Sequence, residues 1–361
     1  MSSAKIAAVA HAGLVQSFPR FAAIAAGLIW LGGCQTLGYY TQAVGGQFEI
    51  WRASRPVESW VRDERTEQGL RERLKRVIQI RDFASRELAL PDNGSYRKYA
   101  DLQRPFVVWN VFAAPELSLE PVRWCFPFAG CVAYRGYFAR SDAERFGSGL
   151  RDKGFDVFVG GVPAYSTLGW FDDPLLNTFI RFPETEVARL IFHELAHQVA
   201  YARDDTMFNE SFATTVELEG IHRWVQKHGT TEQREAFETA QQRKRDFLAL
   251  VAQTRTALRD TYALDAPKAE KRAAKAVIFA AMRDEYAKLK QRWGGFAGYD
   301  YWFEEPLNNA KLVSVAAYSE LVPAFQRLLK EKNGDLAAFY AEIKAIAKLP
   351  EAERRSRLGF G

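Results

Sequence analysis

The chain has 361 residues, of which 48% are hydrophobic, 14% aromatic and 26% charged. This composition excludes an intrinsically disordered protein and can fill the core of one large domain or two modest ones. The net charge of +5 arises from 49 basic and 44 acidic residues that are mixed along the chain, and we find no nucleic-acid-binding motif, so we expect no nucleic-acid partner.

The first 33 residues have the pattern of a secretory signal peptide, 1–33. They contain no acid, and the apolar run Phe21–Leu31 is too short to span a bilayer as a mature helix. The stretch ends in Leu31-Gly32-Gly33-Cys34, which resembles the bacterial lipobox. This resemblance implies cleavage before Cys34 and its lipidation, and Gln35 implies sorting to the periplasmic face of the outer membrane. The alternative is an uncleaved anchor that ends in a free cysteine.

Residues 34–361 are expected to form a single α+β domain, predominantly helical, with a small mixed sheet and a long helical hairpin. Apolar residues at helical spacing predict a helix within 63–89. β-Branched and aromatic runs at 106–112, 131–134 and 155–159 predict the sheet, within about 105–165, and a helix over about 141–153 precedes its last strand.

Two further cysteines, Cys125 and Cys131, are close in sequence. In an oxidising periplasm such a pair can form a small-loop disulfide. The alternative is two buried thiols.

The most informative stretch is His193-Glu194-Leu195-Ala196-His197, inside an apolar run that follows a helix-start signal at Pro183. Residues four apart lie on one face of a helix, so His193 and His197 can hold one Zn²⁺. Glu194 is then placed to take a proton from the attacking water without ligating the metal. The alternative is a chance match on a buried helix, but two imidazoles and a carboxylate are costly to bury without a metal or partners.

A third ligand is expected in Asn209-Glu210-Ser211-Phe212-Ala213. This segment resembles the second helix of the gluzincin metallopeptidases, and in the aminopeptidase N-like branch its glutamate binds zinc. The resemblance implies that Glu210 is the third ligand, whereas the alternatives are Asp205 as the ligand and Glu210 as an ordinary acid in the first turn of a helix. Glu217, seven residues on and on the same face, could orient a ligating histidine. The resemblance to that branch is local, because its Gly-Ala-Met-Glu-Asn motif is absent and its spacing to the glutamate is longer.

A wider resemblance spans nearly all of residues 34–361 and is to a family of bacterial lipoproteins known as predicted aminopeptidases. It is carried by the zinc motif and by Trp124-Cys125-Phe126-Pro127, Tyr134-Arg135-Gly136-Tyr137-Phe138, Ala164-Tyr165-Ser166-Thr167-Leu168-Gly169-Trp170-Phe171, Phe208-Asn209-Glu210-Ser211-Phe212-Ala213 and Leu307-Asn308-Asn309-Ala310. The resemblance implies peptidase chemistry and adds little about the substrate.

Substrate contacts are less clearly marked. The segment Gly160–Thr167, with Gly161 and Tyr165, is a candidate edge strand on which an extended peptide could pair, and the alternative is a plain Gly/Pro-rich turn. An oxyanion donor is expected to be a tyrosine or arginine. Tyr318 is the favoured candidate, and the alternatives are Tyr299, Tyr301, Tyr134, Arg135, Tyr137 and Tyr165. The candidates for an acid that would bind the free amine of a substrate are Asp172, Asp173 and Glu217.

The active-site helices are expected within about 183–228 and a helical C-terminal part within about 231–350. Residues 231–293 predict two long helices that break near Leu264–Pro267 and form an antiparallel hairpin. The sequence therefore predicts a zincin-like, lipid-anchored zinc peptidase with one Zn²⁺, favouring aminopeptidase action on short peptides. The alternatives are a zinc endopeptidase or cell-wall amidase, and a non-catalytic envelope scaffold with structural zinc. The oligomeric state is not predicted.

Overall fold

The computed structural model describes residues 38–126, 130–164, 167–316 and 320–359. The signal peptide 1–33, Cys34, Tyr165 and Tyr318 lie outside the described residues. Internal contacts divide the chain into two compact units, Met1–Phe48 and Glu49–Gly361, and the strands among the described residues all lie in the second.

Helices make up most of the described chain, in agreement with the predicted α+β, predominantly helical class. In chain order they are α1 (38–53), α2 (Val57–Arg62), α3 (Gln68–Leu88), α4 (Arg140–Arg151), α5 (Asn177–Ile180), α6 (Glu184–His197), α7 (Thr206–His228), α8 (Thr231–Ala263), α9 (Lys268–Arg292), α10 (Asp300–Glu304), α11 (Asn309–Ala316), α12 (Val322–Glu331), α13 (Leu336–Ala347) and α14 (Glu351–Arg357). None of the described helices is both long and apolar enough to cross a membrane.

The strands are short and form small separate sheets. They are β1 (Arg55–Pro56), β2 (Lys98–Ala100), β3 (Val108–Pro115), β4 (Trp124–Phe126), β5 (Gly130–Val132), β6 (Arg135–Tyr137), β7 (Phe155–Val162) and β8 (Leu175–Leu176). Among the described strands the sheet orders are β1-β2-β8, β6-β3-β7 and β4-β5. The longest pairing joins β3 and β7 in antiparallel register, from Val108 opposite Val162 to Pro115 opposite Phe155.

Two of the three predicted strand runs are confirmed, and the third is wrong in part. Residues 131–134 were expected to add a strand to the main sheet, but Gly130–Val132 pairs with Trp124–Phe126 in a separate hairpin. Cys125 lies directly opposite Cys131 there, and the structure joins the two in a disulfide. This pairing occupies the segment, so the strand that joins β3 starts later, at Arg135, where Tyr137 lies opposite Trp109.

The long helical hairpin consists of α8 and α9. Helix α8 starts with a capping box in which the Thr230 hydroxyl accepts from the Gln233 backbone N–H and the Gln233 side chain accepts from the Thr230 N–H. It ends at Ala263, just before the predicted break, and α9 begins after Pro267. Apolar side chains of both helices form one buried seam, which includes Phe247, Leu250, Val251, Leu258, Phe279, Met282 and Leu289.

Candidate metal centre

Helices α6 and α7 pack side by side and run antiparallel. At one end, the Trp224 Nε1–H of α7 donates to Glu184 Oε1 of α6 at 2.9 Å. At the other end, His197 Nε2 lies 3.7 Å from Glu210 Oε2. The end of α6 and the start of α7 are therefore neighbours, which brings the second histidine of the motif next to the predicted third ligand.

The short connection between these helices is held by two side chains. The Asn209 amide donates to the Ala202 carbonyl at 2.8 Å and its oxygen accepts from the Ala202 N–H at 2.7 Å. Asp205 caps α7 by accepting from the Phe208 N–H at 3.0 Å, and it pairs with the buried Arg354 at 3.0 Å. The Asp205 carboxylate is therefore engaged in structural contacts, and Glu210 rather than Asp205 lies with the two histidines.

His193, His197 and Glu210 form a buried cluster that could hold a metal ion. One potential ligand atom from each lies within 4.8 Å of the others. The oxygen Glu210 Oε2 is 3.2 Å from His193 Nε2 and 3.7 Å from His197 Nε2, so both imidazoles face the same carboxylate oxygen. Two imidazole nitrogens and a carboxylate oxygen form a donor set that suits zinc and related divalent metals.

Glu217 makes a second contact with the first histidine. Its Oε2 lies 2.9 Å from His193 Nδ1, the ring nitrogen that faces away from Glu210. A carboxylate at this position favours the tautomer that carries its proton on Nδ1, which leaves the Nε2 lone pair available to a metal. The predicted role of Glu217 is thus supported by a direct contact.

Two cations compensate the buried charge of Glu217. The Arg189 guanidinium donates to Oε2 at 2.9 Å and the Lys244 ammonium donates to Oε1 at 3.3 Å. Burial alone would raise the pKa of Glu217, but Arg189, Lys244 and His193 together hold it well below its usual range. The carboxylate therefore stays ionised while it holds the imidazole.

The charged neighbours of the cluster favour a positive charge within it. Burial opposes a charge on His193, yet its hydrogen bonds to Glu210 and Glu217 raise its pKa to about 10. Burial also opposes ionisation of Glu210, but the nearby His197 and His193 lower its pKa to about 2. In the absence of metal a proton thus supplies positive charge beside Glu210, at the place where a metal cation would supply it. The buried His197 Nδ1 has no hydrogen-bond partner among the described residues.

Glu194 follows His193 in sequence and does not belong to the group of His193, His197 and Glu210 that could hold a metal. It is only 7% exposed, and burial raises the pKa of its carboxyl although His193 and His197 oppose this. A carboxylate with a raised pKa is a better proton acceptor near neutral pH. The burial of Glu194 thus suits its carboxylate to proton transfer beside a group that could hold a metal.

The predicted substrate segment has a structural role at its first residues. Gly161 lies in the edge strand β7 opposite Trp109, and a Cβ atom at this position would come within 2.4 Å of the Phe106 ring. Close packing against Phe106 therefore accounts for this glycine. Further along, a Cβ atom at Gly169 would lie 3.6 Å from Gln198 Cγ, so the chain at Gly169 passes close to the residue after His197.

The candidate amine-binding acids differ in their surroundings. Asp173 is buried and accepts from the Thr167 N–H at 3.0 Å and the Thr167 hydroxyl at 2.8 Å, so it closes the loop of residues 167–173. Glu217 is held by His193 and the two cations. Asp172 is exposed and lies against Gly94.

The tyrosine and arginine candidates are mostly explained by packing. Tyr299 stacks on Phe247 with ring centroids 4.3 Å apart, and Tyr301 is 73% exposed. Tyr137 is buried, and the Arg135 guanidinium lies 4.6 Å from the Phe146 ring centroid. Tyr134 contacts the Phe112 ring. None of these contacts places a candidate at the metal cluster.

Sequence reasoning did not identify Arg189 and Lys244. Arg189 precedes His193 by four residues, so helical spacing could have placed it on the same face. Lys244 lies on α8 and is 27 residues from Glu217 in sequence. Only the packing of the hairpin against α7 brings it to the site, and no local pattern marks it.

A family model described as "Putative aminopeptidase" matches residues 38–358. Neither a curated protein nor a solved structure matches the sequence. The match includes the metal cluster, Glu194 and both helices that carry them. The chain therefore belongs to this aminopeptidase family.

Proposed function

We propose that the protein is a zinc-dependent peptidase that removes residues from the free amino end of short peptides. The observation that carries this proposal is the buried cluster of His193, His197 and Glu210 with the carboxylate of Glu194 beside it. A structural metal would not require an extra buried carboxylate that ligates nothing, and such a group is costly to bury.

In the proposed site His193, His197 and Glu210 would hold Zn²⁺, leaving a position open for water or substrate. When bound, the metal would polarise the scissile carbonyl and make an attacking water more acidic. With Zn²⁺ bound, two neutral imidazoles and one carboxylate would leave the metal and its ligands with a net charge of about +1, which suits stabilisation of a developing oxyanion.

The chain's own residues carry the proton transfers. Glu194 accepts a proton from the attacking water as the water oxygen bonds to the scissile carbonyl carbon. It then delivers that proton to the leaving amine nitrogen as the C–N bond breaks, which returns Glu194 to its ionised form. Glu217 keeps His193 in the ligating tautomer during the cycle, and Arg189 and Lys244 keep Glu217 charged.

The support for aminopeptidase specificity is the description of the family to which the chain belongs. Of the three candidates for an amine-binding acid, Asp173 is hydrogen-bonded to Thr167 and Glu217 is paired with Arg189, which leaves Asp172. A zinc endopeptidase or cell-wall amidase would use the same metal ligands and Glu194, so substrate tests must separate these activities.

The test compares hydrolysis of matched short peptides with a free and with an acetylated amino end. We expect cleavage of the free peptide, loss of activity on chelation and its recovery with added zinc. Acetylation should abolish cleavage. Equal cleavage of both peptides would contradict the aminopeptidase assignment and favour an endopeptidase, and no cleavage by zinc-loaded protein of any peptide or cell-wall substrate would favour the scaffold alternative.

For localisation, we propose attachment to the periplasmic face of the outer membrane through acyl chains on Cys34. The support is the lipobox-like sequence Leu31-Gly32-Gly33-Cys34 after an apolar, acid-free stretch. Mass spectrometry of the protein purified from membranes should find an acylated amino-terminal Cys34. A peptide that continues upstream of Cys34 would contradict the proposal.

A further inference from the structure

Helix α1 presents an apolar and uncharged face to its surroundings. Tyr40, Val44 and Phe48 are exposed, Val44 by 70% and Phe48 by 60%. They follow one another at intervals of four residues, so they lie on one face of the helix. An exposed helix face normally carries charged or polar residues, and three large apolar side chains in a row are unusual there.

The sequence around this face is also unusual. No charged residue occurs between Cys34 and Phe48, although a quarter of the whole chain is charged. The other exposed positions of this part of the helix are Gly38, Thr41 and Gly45, which are small or uncharged. The face therefore lacks the groups that would favour contact with bulk water.

The unit that starts at Glu49 has exposed aromatic residues of its own. The rings of Trp51 and Phe171 contact each other with centroids 4.6 Å apart, and both remain more than 40% exposed. The neighbouring Trp170 is 67% exposed. Tryptophan is enriched where one side of a residue meets lipid and the other meets water.

We infer that the face of α1 formed by Tyr40, Val44 and Phe48 lies on the phospholipid surface. The inference rests on the proposed acylation of Cys34. Only four residue steps separate Cys34 from residue 38, so this first described residue of α1 would lie within roughly 14 Å of the lipidated cysteine. Val44 is about 9 Å further along the helix. The apolar face is thus held next to the bilayer, and burial among headgroups and acyl chains removes it from water.

The test measures depth in the membrane with spin labels on the lipidated protein in liposomes. Val44→Cys provides the labelling site, because Cys34 is acylated and Cys125 and Cys131 are bonded to each other. Val277→Cys is a matched control, because Val277 is also a helical valine and is 68% exposed. A label at 44 should be accessible to oxygen and shielded from a water-soluble nickel reagent, whereas a label at 277 should show the reverse.

Two other results would overturn the inference while leaving the lipid anchor intact. If the label at 44 is as accessible to nickel as the label at 277, the face lies in water. If it shows spin–spin broadening that disappears on dilution with unlabelled protein, a second copy covers the face. If mass spectrometry finds no acyl chains on Cys34, the proposed lipid anchor is wrong. In that case the label at 44 is measured with and without added liposomes, and a label that stays accessible to nickel in their presence would overturn the inference as well.

Discussion

The α6–α7 pair and the α8–α9 hairpin are both long antiparallel helix pairs, but they place charge in opposite ways. The first buries His193, Glu194, His197, Glu210 and Glu217, none of them more than 7% exposed. The hairpin has no Lys, Arg, Asp or Glu among its buried residues and buries an apolar seam instead. Buried ionisable groups lower stability unless they are paired, so the first arrangement indicates chemistry and the second indicates structure.

Several contacts join the hairpin to α7, and one of them reaches the site: the ion pair between Lys244 of the hairpin and Glu217. Through this ion pair the hairpin helps to compensate the charge of Glu217 beside the candidate metal centre. The comparison can be tested by changing residues in each region and asking whether activity, metal affinity or stability responds.

The largest effect is expected for Glu194→Gln. This change keeps the shape of the side chain but removes its ability to accept a proton, so kcat should fall by roughly 10²–10⁴-fold. Metal content and thermal stability should remain close to wild type. A variant that retains metal and full activity would show that Glu194 is not the general base.

Next come the residues that hold His193 in place. Glu217→Gln should weaken zinc affinity by about 10–100-fold, because the remaining amide is a weaker partner for Nδ1. Lys244→Met should have a smaller effect in the same direction, because Arg189 still compensates Glu217. Competition with a chromophoric chelator measures both. Unchanged zinc affinity in both variants would mean that Glu217 does not support His193 as a ligand. A Lys244→Arg variant that binds zinc more tightly than Lys244→Met would show that the positive charge of Lys244 causes the effect.

A third prediction concerns the pH dependence of the metal-free protein. The pKa of His193 is raised from 6.5 to about 10 in the folded chain, so its protonation stabilises the fold below pH 6.5. That contribution is lost as the pH rises towards 10. Urea unfolding should therefore show stability falling over this range more in wild type than in His193→Gln. Parallel pH profiles for the two proteins would contradict the assigned contacts.

The smallest effect is expected on the hairpin surface. Lys288 pairs with Glu285 at 2.7 Å, but their side chains are 61% and 47% exposed. Water screens such a pair, so Lys288→Met should leave the urea midpoint of unfolding close to that of wild type. It should leave zinc affinity unchanged, which makes it the control for Lys244→Met. A loss of zinc affinity in this variant would mean that the hairpin acts on the site by some route other than the Lys244 contact.

The sequence predicted the parts of the site that depend on local spacing. His193 and His197 share a helix face by periodicity, and Glu217 was placed two turns beyond Glu210 for the same reason. The choice of Glu210 over Asp205 needed a family resemblance, and in the structure the cap and the Arg354 pairing explain why Asp205 is not free to ligate. Lys244 could not be predicted, because its position depends on how two distant helices pack.

The same limit applies to the fold. A capping box marks the start of α8 and Pro267 marks the start of α9, and both are local signals in the sequence. The strand over 131–134 was assigned to the wrong sheet because composition predicts that a segment is extended but not which partner it pairs with. In the structure the segment pairs with the preceding strand β4, to which the Cys125–Cys131 disulfide also joins it.

The most direct test of the account is the zinc content of the purified protein, measured by elemental analysis for wild type, Glu210→Ala and Asp205→Asn. The account predicts one zinc ion per chain in wild type and in Asp205→Asn, and little or none in Glu210→Ala. A wild-type protein that binds no metal when zinc is supplied, or a Glu210→Ala variant that binds it as tightly as wild type, would contradict the proposed centre.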